Sequence, residues 1–385
     1  MKTTIRMNQL RVIIDSYQYP MPFKEHLQDF FRQNKNAGSK DRKELRHLCN
    51  SYFRLGKVLI QLSFEERAYL ADFLFNDRAI LENHFNLDFT QNFVQKIKNI
   101  QLLFPDFKLD GIFPFEQQIS EVIKSEKLFE SYLHQASLWI KVSPGKDRFV
   151  ATELELKQIP YEKINNLSWK FNPDEKLSEL NTYSKSYFRI QDLSTQTTAD
   201  YFQAADFEKW WDCCAGAGGK SLSLMESTAK VSLYASDIRP GILNNLKERF
   251  RNHHVHPQQV FECNLEKESP NLPLMDGIIV DAPCSGSGTW SRNPEHLYYF
   301  KEESIEEYGQ RQERILDHVF PLLKVSKPLI YITCSIYKRE NEEVVSRFCA
   351  KHSVKIEEQK YIEGYKNGAE NIFLCRMIKS EEAGK

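Results

Sequence analysis

The sequence predicts an α/β fold, a mainly parallel sheet wrapped by helices, behind an all-helical front end and a small α+β link. Three observations carry this. From about residue 206 short apolar runs rich in β-branched residues alternate with helical stretches. Two of those runs, Gly277-Ile278-Ile279-Val280 and Leu329-Ile330-Tyr331-Ile332, are followed by the polar, turn-forming stretches Asp281-Ala282-Pro283-Cys284-Ser285-Gly286-Ser287-Gly288 and Thr333-Cys334-Ser335. Residues 1–135, by contrast, show apolar spacings of three and four. At 385 residues the chain exceeds what one core usually serves. The expected domains are 1–135, 136–205 and 206–385.

In the front end, Gln9 to Leu62 reads as helical, with Leu45, Leu48, Tyr52 and Leu55 on one face. Within it, residues 32 to 57 hold eight bases (Arg32, Lys35, Lys40, Arg42, Lys43, Arg46, Arg54, Lys57) against Asp41 and Glu44. Such a patch suits phosphate binding with a salt slope of about −0.7 to −0.9 per contact, and equally a solvated helix face. Ser63 to Lys98 continues the helical spacing with core aromatics Phe64, Tyr69, Phe73, Phe75 and Phe85.

In the link, Leu138–Val142 and Phe149-Val150-Ala151 read as strands flanking the Ser143-Pro144-Gly145 turn, and Tyr187–Ile190 as another. Lys141, Lys146 and Arg148 among aromatic and apolar residues would suit an RNA-facing sheet or a plain linking subdomain. In the last region the strand candidates are Trp210-Trp211, Val231–Ala235, Gln259–Phe261, Gly277–Val280, Leu329–Ile332 and Ile372–Met377. Helices are expected around 219–227, 240–251 and 303–323.

Composition excludes several classes. No apolar run approaches the ~18 residues of a bilayer span. Val12-Ile13-Ile14 falls short of the ~7 to 15 residues of a signal-peptide core, so a cytoplasmic protein is expected. Eight cysteines spread over this length form no disulfide scaffold, and with no Cys-x-x-Cys pair no metal site is expected. A formal net charge of −1 leaves nucleic-acid binding to local patches.

The first turn of the sheet region reads Asp212-Cys213-Cys214-Ala215-Gly216-Ala217-Gly218-Gly219-Lys220-Ser221. Small residues there let backbone approach a ligand at a helix start. A phosphate loop is broken at its first glycine, where Cys214 stands, and a dinucleotide fingerprint is broken at Ser221. Asp237, eighteen residues beyond Gly219, sits where an acid accepts from ribose hydroxyls, which fits S-adenosylmethionine; it could also cap the helix starting near Pro240. Cys49, Cys263, Cys349 and Cys375 read as inert core thiols. Cys284 and Cys334, at strand exits, could be buried or reactive on position alone.

Taken together and in this order, the cofactor turn, Asp237, the Asp281–Gly288 motif and Thr333-Cys334-Ser335 resemble the RsmB/Sun/Nop family of RNA cytosine-5 methyltransferases. Gln191-Asp192-x-Ser194-x-Gln196 and Glu340-Asn341-Glu342 extend the resemblance over roughly Ser137 to Lys379. The helical front resembles the family's NusB-like RNA-binding domain through Gly38-Ser39-Lys40-Asp41-Arg42. The resemblance implies a Rossmann-like class I methyltransferase domain that methylates carbon 5 of a cytidine in RNA, 16S ribosomal RNA foremost, with transfer RNA as another substrate. It implies Cys334 as the nucleophile on carbon 6, Asp281 as the base-binding acid and Cys284 in release of the product. For the cofactor it implies Cys214, Ala215, Gly216, Ala217, Gly218, Gly219, Lys220, Asp237, Arg239, Asn264 and Asp281.

Three departures stand out. Gly216-Ala217 replaces the commoner Ala-Pro, Asn264 stands where many members carry an acid, and Lys324–Pro328 lacks the usual glycine pair. A monomer without metal or membrane partner is expected. Two alternatives stay open: a non-catalytic RNA-binding or ribosome-assembly factor, and a nucleoside-triphosphatase using Gly218-Gly219-Lys220-Ser221.

Overall fold

A computed structural model describes residues 3–35, 37–228 and 230–381. The chain forms two compact units, one of Met1–Gln117, Ser125–His134 and Trp290–Glu302, the other of Gln118–Lys124, Gln135–Thr289 and Glu303–Lys385.

The first unit is helical: α1 (Thr3–Asp15), α2 (Phe23–Gln33), α3 (Ser39–Arg54), α4 (Phe64–Phe75), α5 (Phe93–Leu103) and α6 (Glu126–Tyr132). Leu45, Leu48, Cys49 and Tyr52 of α3 meet Leu10, Ile13 and Phe23 in its core, as their three- and four-residue spacing requires. The expected helix from Ser63 to Lys98 is interrupted. Ser63 caps α4 in a reciprocal box with Glu66, and the helix ends at Phe75. There the buried Asp72 takes the amides of Ile80 and Leu81 at 2.9 and 2.7 Å and holds an irregular segment in place.

No sequence pattern marks Trp290–Glu302 as part of this unit, yet Trp290 stacks on Phe113 with ring centroids 5.2 Å apart. Arg54 corrects the charge reading of α3. It is buried, and its guanidinium donates to the carbonyls of Tyr132 (2.6 Å), His134 (3.2 Å) and Ser291 (2.8 Å). Arg32, Lys35, Lys40, Lys43, Arg46 and Lys57 are exposed.

The second unit holds two sheets. The smaller, in order β2-β3-β1-β4, is antiparallel and consists of β1 (Leu138–Val142), β2 (Glu162–Lys163), β3 (Ser168–Phe171) and β4 (Phe188–Ile190). Phe149-Val150-Ala151 is not a strand but part of α7 (Asp147–Leu156). Val150 and Leu154, four apart, are both fully buried in this sheet's core, a helical face that a three-residue window hides. Two short helices follow, α8 (Asn181–Ser184) and α9 (Leu193–Thr197). Lys141 is paired with Glu226 at 3.1 Å, whereas Lys146 lies over the ring of Tyr187 at 4.9 Å.

The larger sheet runs β10-β11-β9-β8-β5-β6-β7. Its parallel strands are β5 (Lys209–Asp212), β6 (Ser232–Asp237), β7 (Gln259–Glu262), β8 (Gly277–Asp281) and β9 (Pro328–Thr333). An antiparallel pair, β10 (Val354–Glu363) and β11 (Asn371–Lys379), closes one edge. The connecting helices are α10 (Gly219–Ser227), α11 (Pro240–Asn252), α12 (Glu295–Tyr299, in the first unit), α13 (Glu303–Val319) and α14 (Glu342–Lys351). This is the expected Rossmann-like methyltransferase architecture. Ile279, Ile330 and Ile332 are fully buried, which is why these strands read as continuous apolar runs.

Arg54→Ala would strand three buried carbonyls. It is expected to lower stability by about 3 kcal/mol in urea unfolding; a loss indistinguishable from that of Lys35→Ala would contradict the structural role.

Candidate active site

Register sets the site. β8 and β9 are parallel neighbours, with Asp281 beside Ile332, so the two cysteine-bearing loops leave adjacent strand ends. Cys284 and Cys334 are both partly exposed, and Cys284 is the neighbour that acts most strongly on the Cys334 thiol. The loops are cross-stitched: Ala282 N–H donates to the Ile332 carbonyl (2.9 Å) and Gly288 N–H to the Cys334 carbonyl (2.7 Å). Gly288 can approach so closely because a Cβ there would fall 2.2 Å from the Asn371 carbonyl oxygen.

β5 and β6 pair in the same way, with Asp212 beside Ala235, which brings the glycine-rich turn next to Asp237. Gly218 caps α10 in the left-handed region (φ 82°), and a Cβ on it would meet Leu246 Cδ1 at 2.3 Å. Gly216 N–H donates to Asp237 Oδ2 at 2.9 Å. Arg239 donates to the same carboxylate from its backbone N–H (3.0 Å), Nε (3.0 Å) and Nη2 (3.1 Å). Burial works against the Asp237 charge, but these donors outweigh it and hold the carboxyl below its usual range. Asp237 therefore shapes the turn into α11 without being its cap, since the cap position is Arg239.

A cleft of about 410 Å³ opens here, within the usual size range of small-molecule sites. Cys214, Asp237, Arg239, Asn264, Asp281 and Cys284 line it, joining six of the expected residues from four strand ends. Ala215–Lys220 and Cys334 are not on its wall. The sequence reading missed Ile238, Glu266, Tyr308 and Arg311. Ile238 follows Asp237 yet is 48% exposed, an apolar side chain facing water beside a polar turn. Tyr308 and Arg311 come from α13, whose place over the cleft no local pattern reveals.

Lys220 is not solvated. It is 7% exposed and its Nζ donates to Asp281 Oδ2 at 2.6 Å. Burial would lower its pKa, but the charges of Asp281 and Cys334 and the hydrogen bond to Asp281 together outweigh this and hold it above the usual lysine value. The Cys334 thiol is pushed well above its usual value, first by the hydrogen bond with Cys284, then by burial and the charges of Cys284 and Asp281. Lys220 opposes that rise. Behind the pair, Asp212 is fully buried and takes Ser221 Oγ on Oδ2 at 2.6 Å, while its Oδ1 has no hydrogen-bond partner among the described residues. Burial pushes its carboxyl up to about 7.

The residues fit S-adenosylmethionine. A small-residue turn lies beside a buried carboxylate at the next strand end, and the cleft has room for a nucleoside. A phosphate-loop reading fits less well, because Lys220 is sealed against Asp281, the residue a triphosphatase would need for magnesium.

Residues 200–382 match the family model described as 16S rRNA methyltransferase RsmB/F. The chain is similar to ribosomal RNA small subunit methyltransferase B of Yersinia enterocolitica, 27% identical over 237 residues, covering 59% of this chain and 54% of that protein. It thus spans about half the length of that curated relative. Among solved structures it is similar to PH0851, with TM-score 0.67, 18% identity and 98% of both chains covered. It is also similar to NSun6 from Pyrococcus horikoshii with SFG, with TM-score 0.60, 16% identity, 71% of this chain and 97% of that one covered. These two likenesses show the fold.

Asp212 leaves a signature in stability. A carboxyl whose pKa is raised from 3.8 to about 7 by folding binds its proton more tightly in the native state, so its contribution falls as pH rises from about 4 to 7 and is constant above. In urea titrations between pH 5 and 8, the stability of Asp212→Asn relative to wild type is expected to climb up to about pH 7 and then level off. A difference independent of pH would contradict the burial argument.

Proposed function

Since residues 200–382 belong to the RsmB/F family of methyltransferases and depend on S-adenosylmethionine, we propose that the protein methylates carbon 5 of a cytidine in small-subunit ribosomal RNA through a covalent adduct on Cys334. The observation that carries this reading is that the Cys284 and Cys334 loops leave adjacent parallel strand ends, tied by the Gly288 N–H to the Cys334 carbonyl, beside the Lys220–Asp281 pair. Two thiols at the carboxyl ends of neighbouring strands are unnecessary for methylating an oxygen or an exocyclic nitrogen. A ring carbon requires one of them as the nucleophile, and the second stands where it can serve release.

Carbon 5 of cytosine is too weak a nucleophile by itself. The Cys334 thiolate adds to carbon 6, the ring electrons move toward carbon 5, and the ring becomes an enamine. Ring nitrogen 3 takes up the proton that the Cys334 thiol gave up, and Asp281, 30% exposed at its side chain, accepts a hydrogen bond from that N–H and stabilises the charge that develops there. S-adenosylmethionine supplies the electrophilic methyl group, and Cys214, Asp237, Arg239 and Asn264 on the cleft wall would hold it, with the Ala215–Gly219 turn shaping the wall from behind. Cys284 serves the release step, in which the carbon 5 proton leaves, the electron pair re-forms the ring double bond and the bond from carbon 6 to sulfur breaks. Lys220 fixes Asp281 and biases Cys334 toward thiolate.

The division at 135 and 205 is kept as a functional proposal, with the exposed bases of α2 and α3 serving RNA capture and Lys146 with Tyr187 offering a second contact. Ribosomal RNA as substrate rests on the names of the relatives. The intact thiol pair favours an enzyme over a non-catalytic assembly factor.

Cys334→Ala should lower methylation by about 10³-fold and form no covalent complex. Cys284→Ala should be equally slow yet accumulate protein joined to RNA on denaturing gels. An adduct in the Cys334 variant would reverse the two roles. S-adenosylhomocysteine should raise the melting temperature, and stabilisation by magnesium and ATP alone would favour a triphosphatase.

Lys220 generates a pH prediction. Single-turnover methylation should speed up with rising pH as Cys334 ionises, and Lys220→Met should move that profile to higher pH, with the rate at pH 7 falling roughly tenfold for each unit by which the midpoint moves. An unmoved midpoint would remove Lys220 from the ionisation of the thiol.

A further inference from the structure

Glu340 is 0% exposed, and none of the cleft wall belongs to it. Taking a carboxylate out of water costs several kcal/mol unless a cation or several donors replace the solvent. The adjacent cation does not serve: Arg339 is turned to Glu306 at 2.6 Å and Glu313 at 2.8 Å. Donors serve instead, and they come from three separate elements. Ser285 N–H donates to Oε2 at 2.7 Å, Gln312 Nε2 of α13 donates to the same oxygen at 3.3 Å, and Ser335 Oγ donates to Oε1 at 2.7 Å.

The identity of those donors matters. Ser285 directly follows Cys284 and Ser335 directly follows Cys334. Gln312 also donates to the carbonyl of Pro283, the residue before Cys284, at 3.0 Å. One carboxylate thus grips both cysteine loops, each one residue from its sulfur. Only an ionised carboxylate offers acceptors on both sides; an amide would turn its NH2 toward the Ser285 amide or the Ser335 hydroxyl. Ser287 Oγ, which accepts the Ile336 N–H at 2.9 Å, and Asn341 Nδ2, which donates to the Ser335 carbonyl at 2.8 Å, brace the same junction.

We propose that Glu340 is a positioning residue that fixes the spacing of Cys284 and Cys334 by holding the Ser285 amide and the Ser335 hydroxyl on its two oxygens. It touches neither substrate nor cofactor. The proposal rests on the thiol roles assigned above, and its test separates the two. In the full chain carrying Glu340→Gln, Glu340→Ala or Ser335→Ala, diamide takes two electrons and two protons as Cys284 and Cys334 close to a disulfide, and mass spectrometry of the linked peptides gives the rate.

Closure is expected to slow about tenfold in Glu340→Ala and about threefold in Glu340→Gln and Ser335→Ala. In RNA methylation, kcat of Glu340→Gln should fall about tenfold while KM for S-adenosylmethionine stays within about twofold. Wild-type closure and kcat in folded Glu340→Gln overturn the proposal. So does a KM that rises together with the loss of kcat, which would mean general loosening. If Glu340→Ala fails to fold, the Gln and Ser335 variants decide by the same criteria. A wild-type chain inactive on RNA whose disulfide rate still depends on Glu340 sinks the cytidine reading and leaves the positioning role standing.

Discussion

The parallel pairing of β8 with β9 is the constraint from which the site follows. Parallel neighbours end on the same side of a sheet, so two loops fifty residues apart in sequence leave side by side, each carrying its cysteine. Had β9 been antiparallel to β8, Thr333-Cys334-Ser335 would have emerged at the opposite edge. The same rule places the glycine turn after β5 next to Asp237 after β6, and the cleft lies where these exits gather.

Around that geometry the electrostatics form a short chain of dependencies. Asp281 holds Lys220 charged, Lys220 opposes the rise of the Cys334 thiol, and burial raises Asp212 to about 7, so that this second carboxyl is only partly ionised at neutral pH. Burial is the largest influence on Lys220 and Asp212, which are nearly or fully removed from water, and the neighbouring charges act against that background. Glu340 stands apart from this chain. Burial pushes its carboxyl up, and the hydrogen bonds that oppose this come from both cysteine loops, which makes it a mechanical tie between them.

What the sequence made legible follows from what is local. Gly277–Val280 and Leu329–Ile332 announced buried strands because residues covered on both faces must be apolar throughout. Asp237 and the two cysteines were legible because strand exits can be located from those runs. The helix at Asp147–Leu156 was not, because its buried pair Val150 and Leu154 shows only when the reading extends a full turn past Ala151. Arg54 looked like its basic neighbours, since nothing in a charge count tells a guanidinium facing water from one facing three carbonyls. Tyr308 and Arg311 reach the cleft by tertiary packing of α13, and Glu340 gathers donors from loops dozens of residues apart in the chain; neither leaves a local trace.

The passage of Trp290–Glu302 into the helical unit has a consequence for how the molecule can be divided. The polypeptide leaves the α/β unit six residues after Cys284 and returns at Glu303. No single cut in the gene separates the two bodies: a product starting at residue 136 would carry Trp290 without its stacking partner Phe113, on the stretch of chain just downstream of the Cys284 loop. Evolution can therefore exchange the front helices for another domain only by rewriting this internal stretch at the same time.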